Sequence, residues 1–251
     1  MTLVLAAGQK SDLLTLQNRG DTPMSMELSA FSWDQNAGGE QKLAPSDDLI
    51  FFPSVFSLEP GEVQLVRVGA TVPPGLTEEA YRLFLRELPA VTSAPSAKTG
   101  IKSSLTMMTA TYVSVFIMPS TLVGGQSIDG LAIKNGQISF QVKNDGNVHI
   151  AAPSVTVKGL GASGKELFSH GFMGGYVLAQ ETRQYVFQVP DAECHDLESI
   201  VVEYAFERPA GIIDLKYDTL KAQAPVGPGA CKSSTTSART GTANPHKDEG
   251  R

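Results

Sequence analysis

Hydrophobic and polar positions alternate along most of this chain with a period of two. Leu14 and Leu16 flank Thr15 and are followed by Gln17, and Gln64-Leu65-Val66-Arg67-Val68 repeats the pattern. That period places side chains on one face of a strand, and no long stretch keeps the 3.6-residue spacing of an amphipathic helix. Turn residues interrupt the alternation at short intervals: Asn18-Arg19-Gly20-Asp21, Ala37-Gly38-Gly39, Pro60-Gly61, Pro73-Pro74-Gly75, Asn135-Gly136, Asn144-Asp145-Gly146 and Gly161-Ala162-Ser163-Gly164. Many short strands with closely spaced turns predict an all-β protein made of sandwiches.

A faint internal repeat sets their number. Leu14-Thr15-Leu16-Gln17-Asn18-Arg19-Gly20 is echoed by Phe140-Gln141-Val142-Lys143-Asn144-Asp145-Gly146, each an alternating strand that runs into an Asn-x-Gly turn. The separation equals about one immunoglobulin-like domain plus a link. The expectation is two immunoglobulin-like β-sandwich domains in tandem, residues 1–119 and 120–221, meeting at Met118-Pro119-Ser120-Thr121. Residues 90–104, rich in Ala, Ser, Thr, Pro and Lys, read as a long mobile loop. Residues 222–251 carry few bulky apolar side chains and are expected to form a disordered tail.

Composition narrows the function. The 251 residues suit two domains, and 41% hydrophobic with 18% charged residues is ordinary for a folded soluble body. A net charge of -6 without a Lys/Arg cluster argues against a nucleic-acid partner. No apolar run reaches the ~18 residues that span a bilayer, so no membrane insertion is expected. Met1 to Ala7 lacks the basic leader of a secretory signal and reads as a first strand. Cys194 and Cys231 permit one disulfide in an oxidising compartment, or two free thiols; spacing does not decide between them.

Candidate chemistry is sparse. Gly159-Leu160-Gly161-Ala162-Ser163-Gly164-Lys165-Glu166 nearly spells a phosphate-binding loop, but Glu166 stands where Mg²⁺ needs a hydroxyl, and Leu167-Phe168 resumes a strand. A glycine-rich turn is the simpler reading. Arg19-Gly20-Asp21 matches an adhesion tripeptide by letters and is explained by turn chemistry. His149, His170, His195 and His246 show no metal-ligand spacing, and adjacent Cys194 and His195 face apart on a strand. No nucleophile motif is present, and Glu78-Glu79 and Asp47-Asp48 read as solvated loop charges. The chain is expected to be no enzyme and to use no metal or cofactor.

The region from Asp48 to Pro119 is the informative one. It contains a proline-bounded strand, Phe51-Phe52-Pro53, then the Pro60-Gly61 turn and Gln64-Leu65-Val66-Arg67-Val68, then Tyr81-Arg82-Leu83-Phe84-Leu85-Arg86-Glu87-Leu88-Pro89. In this order the segments resemble the PapD-like periplasmic chaperones of pilus and fimbrial assembly, in a divergent or archaic-like branch. The likeness covers Leu3 to Pro119 well and Ile138 to about Leu220 loosely. It implies a periplasmic chaperone that binds pilus, fimbrial or coat-type subunits and delivers them to an outer-membrane usher. Binding would be by donor-strand complementation, a mode in which an edge strand completes a partner's sheet. By position the donor side chains would be Leu105, Met107, Thr109, Thr111 and Val113. An open edge of this kind also allows a self-capping dimer.

Two family anchors are missing. Typical members hold the subunit's terminal carboxylate with an Arg on the first strand and a Lys on the donor strand, and the matching positions here are Thr2 and Ser114. A hydroxyl does not supply the charge-assisted bonds of a cation. A first strand that begins upstream, a branch with other anchors, or loss of subunit handling would each account for this. Of the family's interdomain ion pair, Glu78 fits the acidic position while Met118 occupies the basic one. The alternative function is a tandem immunoglobulin-like structural or adhesive module without subunit clients.

Overall fold

The structure, a computed structural model, describes residues 1–89, 110–209 and 215–231. These residues form strands and short 3₁₀ turns, with no α-helix among them, as the period-two pattern predicts. No helix among the described residues is long and apolar enough to cross a membrane.

The N-terminal domain contains β1 (Thr2–Leu5), β2 (Ser11–Gln17), β3 (Met24–Gln35), β4 (Gln41–Pro45), β5 (Leu49–Phe52), β6 (Val55–Leu58), β7 (Val63–Ala70), β8 (Glu79–Leu88) and β9 (Ala110–Ile117). One sheet has the order β1-β9-β8-β3-β4 with β6 also on β3, and the other is β2-β7-β5. Alternate residues of both fill one core that includes Leu14, Leu28, Val66, Val68, Leu83 and Val115. The C-terminal domain contains β10 (Gln126–Lys134), β11 (Gln137–Asn144), β12 (Ile150–Leu160), β13 (Glu166–Phe172), β14 (Gly175–Val177), β15 (Thr182–Gln188), β16 (Ser199–Pro209) and β17 (Leu215–Pro225). Its sheets run β10-β11-β15 and β13-β12-β16-β17, with β14 on β12. They enclose a second core around Phe140, Ile150, Val157, Ile200 and Tyr204.

The repeated asparagines do the same work in both domains. Asn18 Nδ2 donates to the carbonyls of Thr22 and Leu58, and its Oδ1 accepts from Gly20 N. Asn144 Nδ2 donates to the carbonyls of Val148, Val177 and Leu178, and its Oδ1 accepts from Gly146 N. Each buried amide satisfies backbone groups that a turn removes from the ladder. The glycine-rich segment after β12 is a turn, with Ser163 at φ 59° and Gly164 at φ 75°, and β13 follows it directly.

One expectation is corrected at the C-terminal end. Residue 222 does not begin an unstructured tail: β17 continues to Pro225, in register with β16 from Leu215 to Pro225. Val226 N donates to the Glu198 carbonyl, and Cys231 is bonded to Cys194 with Cα atoms 5.6 Å apart. The strand is poor in bulky side chains, but its backbone ladder, Ala224 and Val226 packed on the core, and the cross-link hold it. Residues 232–251 lie outside the described residues.

The two domains share a third, smaller core. Trp33, Phe116 and Met118 pack against Val148 and Leu178. Met118 is therefore an apolar interdomain contact, 3% exposed. The basic partner that this position lacks comes from the second domain: His149 Nδ1 lies 2.8 and 2.9 Å from the two oxygens of Glu78, and His149 N donates to the same carboxylate.

Candidate functional site

The site begins with strand pairing. β1 is short and parallel to β9, and covers only Ser114 to Ile117 of it. Ser114 N donates to the Met1 carbonyl and Met118 N to the Leu5 carbonyl, so even-numbered N–H groups of β9 point toward β1. Upstream of Ser114, residues Ala110 to Val113 pair with β8 alone among the described residues. The N–H groups of Ala110 and Tyr112 therefore line an uncovered edge, a template for another strand.

The sequence-predicted donor residues divide into three groups. Leu105, Met107 and Thr109 lie outside the described residues. Thr111 is exposed where the uncovered edge begins. Val113 is a correction: it is 2% exposed and packs in the core of its own domain, so it has no surface to lend. The reason is that its side chain faces the opposite sheet, in the core with Leu14, Val66 and Val68.

Thr2 and Ser114, the two anchor positions without a cation, are directly opposite each other on β1 and β9. Ser114 is in turn opposite Arg82 on β8. Directly opposed residues share a face, so Thr2, Ser114 and Arg82 form one row across three strands. Arg82 is 2% exposed and donates from Nη1 to Ser114 Oγ and from Nε to Gln41 Oε1, the latter at 3.1 Å. Its guanidinium carbon lies 3.4 Å from the Trp33 ring centre and 4.3 Å from that of Tyr112. Burial lowers the Arg82 pKa from its usual range, and the Tyr112 and Tyr176 phenols act in the opposite direction. A delocalised planar cation tolerates such a place where a lysine would not.

The row opens on a cleft between the domains. From the second domain come Gly175, Tyr176 and Arg183; Tyr176 OH is 3.1 Å from Thr2 Oγ1, and Arg183 Nη1 donates to the Tyr176 carbonyl. The β3–β4 hairpin closes the far wall, with Gln184 N donating to the Ala37 carbonyl and Gln35 Nε2 to the Tyr176 carbonyl. Among the described residues no group of His, Cys, Asp and Glu could hold a metal ion.

Sequence reasoning missed Arg82, Trp33 and Arg183 as site residues. Arg82 stands inside the quoted Tyr81-Arg82-Leu83 motif, where alternation puts it on the face opposite Tyr81 and Leu83. Nothing local tells that this face is covered by a second domain.

A strand edge beside an interdomain cleft in a two-sandwich protein defines a class: a tandem β-sandwich scaffold with an open strand edge among the described residues. Residues 1–123 match the family described as pili and flagellar-assembly chaperone, PapD N-terminal domain. Residues 1–123 thus carry a PapD-like N-terminal domain, and the chain as a whole shares the two-domain fold of the solved structures that follow. One similar solved structure is the CsuC-CsuE chaperone-tip adhesion subunit complex of the archaic Csu pili of Acinetobacter baumannii, at 18% identity and TM-score 0.55, covering 87% of this chain and 94% of that one. Another is the YadV chaperone, at 15% identity and TM-score 0.55, covering 89% and 96%. The Pseudomonas aeruginosa CupB2 chaperone is similar at 16% identity and TM-score 0.51, covering 87% and 96%. No curated protein sequence matches the chain.

Proposed function

We propose that this protein is a periplasmic chaperone that holds pilus or fimbrial subunits by strand donation and passes them to an outer-membrane usher. The observation that carries this reading is the uncovered edge of β9 at Ala110 to Val113, which runs into a cleft holding Arg82. Unpaired backbone N–H and C=O groups give a client strand affinity, and alternation fixes its register. Leu105, Met107, Thr109 and Thr111 would face the client, with Val113 left in the domain core.

The row Thr2, Ser114 and Arg82 supports a rearranged anchor for the client's terminal carboxylate. Neither hydroxyl position carries charge, and Arg82 brings a cation to the same face from the next strand. Stacking on Trp33 and Tyr112 fixes the guanidinium before a client arrives, which lowers the entropy cost of capture.

Co-expression with subunits that lack their last strand, followed by size-exclusion chromatography, tests the proposal. A 1:1 complex that protects the subunit from aggregation is the expected outcome. A homodimer or monomer with no subunit bound would sink it, in favour of a structural module.

A further inference from the structure

Asn135 and Gly136 join β10 to β11 as a two-residue hairpin turn, since Lys134 pairs with Gln137. Both have positive φ, 54° and 73°, the type I′ geometry that an Asn-Gly pair suits. It is the one Asn-Gly pair in the chain. Asn135 is exposed, and its carboxamide makes no hydrogen bond among the described residues. A glycine that follows an asparagine has no side chain to shield its backbone nitrogen, so that nitrogen can attack the carboxamide carbon.

Gly136 is nevertheless pinned. It is buried, its N–H donates to the Ala230 carbonyl at 2.7 Å, and its carbonyl accepts from Val189 N at 2.9 Å and Gln188 Nε2 at 3.0 Å. An amide N–H engaged in a short bond to a carbonyl gives up neither its proton nor its orientation easily. The Ala230 carbonyl belongs to the peptide bond shared with Cys231, in a turn beyond the end of β17. Two ties hold that segment to the domain: Val226 N donates to the Glu198 carbonyl, and Cys231 is bonded to Cys194. The first lies upstream of Ala230, whereas the second is beside it. The cross-link is thus what keeps the acceptor over Gly136.

We propose that Asn135 is a self-modification site, a deamidation that the Cys194–Cys231 bond holds off and that its reduction releases. Cys194 is buried but Cys231 is partly exposed, so a small dithiol can reach the bond. Two electrons and two protons pass from the dithiol to the two sulfurs, and the reductant leaves as its own disulfide. With Ala230 withdrawn, the Gly136 nitrogen loses its proton to solvent and attacks Asn135 Cγ. The N–Cγ bond forms, the Cγ–Nδ2 bond breaks, and the amide nitrogen leaves with a solvent proton as ammonia. Water then opens the five-membered succinimide at either carbonyl, giving aspartate or isoaspartate without any change of oxidation state. Isoaspartate adds a backbone carbon to a two-residue turn, which the register of β10 on β11 does not accommodate. A chain left without its cross-link is therefore marked irreversibly at this hairpin.

The test incubates the full chain in mildly alkaline buffer with the bond intact, with dithiothreitol, and as Cys194→Ser/Cys231→Ser. Peptide mapping by mass spectrometry follows Asn135, and enzymatic methylation detects isoaspartate. Deamidation should run at least tenfold faster in both bond-free samples than in the oxidised chain. Val157→Ala, a cavity in the same core with the bond intact, loosens the domain without freeing Ala230 and should leave Asn135 as slow as in the parent. Hydrogen exchange reads the release directly, even where the double variant folds poorly. On reduction the Gly136 amide should lose protection, while the amides of β12, which has a strand on either side, keep theirs. Equal deamidation with and without the bond, a Val157→Ala rate matching the bond-free samples, or unchanged Gly136 exchange on reduction would each overturn the proposal.

Discussion

Glu78 and His149, one from each domain, form a buried clamp in which a single carboxylate meets both the ring Nδ1 and the backbone N–H of the histidine. Their side chains are 1% and 7% exposed, and the imidazole stacks on Phe116 with ring centres 3.8 Å apart. Glu78→Ala or His149→Ala leaves the other group buried without its partner, and each should cost about 3 kcal/mol or more. The double variant should cost less than the sum of the singles. Differential scanning calorimetry checks both points and should show the two domains unfolding in separate transitions once the clamp is gone.

Proline scanning distinguishes the uncovered edge from the sheet interior. Ala110→Pro removes an N–H that points away from β8, so it should abolish subunit capture at little cost in stability. Thr111→Pro removes a donor that the alternation directs at β8, and should lower the thermal midpoint as well. Equal destabilisation by the two would show that the edge is not free.

Replacing Arg82 by lysine keeps the charge and loses the planar stack on Trp33 and Tyr112. Subunit affinity should fall at least tenfold in Arg82→Lys, and as far in Arg82→Gln, because geometry and charge are both required. Titration calorimetry with a purified subunit measures the difference.

Acid dependence should show at Glu181. Burial raises its pKa, Asp34 across the domain interface adds to the rise, and the Thr182 backbone N–H with Lys42 opposes it. The folded state therefore binds the proton more tightly than the unfolded one. Its contribution is most favourable below the ordinary carboxylate pKa of ~4.3 and is lost as pH rises through the raised value. Glu181→Gln should be more stable than the parent at neutral pH, by no more than ~1 kcal/mol for a group only partly buried, with the gain vanishing near pH 4. Thermal midpoints across that range give the test.

The disulfide closes a loop of 37 residues between Cys194 and Cys231. Replacing both cysteines by serine should cost about 3–4 kcal/mol, chiefly through the freed unfolded chain. Urea unfolding measures it, and the loss should fall on the C-terminal domain alone.

The amino-acid sequence by itself determined the strand content and the two-sandwich plan, because period-two alternation and turn residues act locally. Leu14, Val66 and Leu83 enter the core for the same reason that Asn18 and Asn144 end strands: their neighbours in sequence suffice. The tail boundary was misjudged because β17 is held by a ladder and a cross-link, which composition does not register. Alternation puts Val113 on one face of β9, and only the packing of the facing sheet makes that face the core.

The anchors were the least legible part. Thr2 and Ser114 read as losses in sequence, and only the register across β1, β9 and β8 put Arg82 in their row. Arg183 entered the same cleft, and His149 met Glu78, from far along the chain, through the packing of one domain on the other. The sequence thus set which residues form strands and face inward, since that depends on neighbours two positions away. Tertiary structure alone decided which charges meet, because electrostatic partnership depends on distance in space and on burial, and neither is encoded locally.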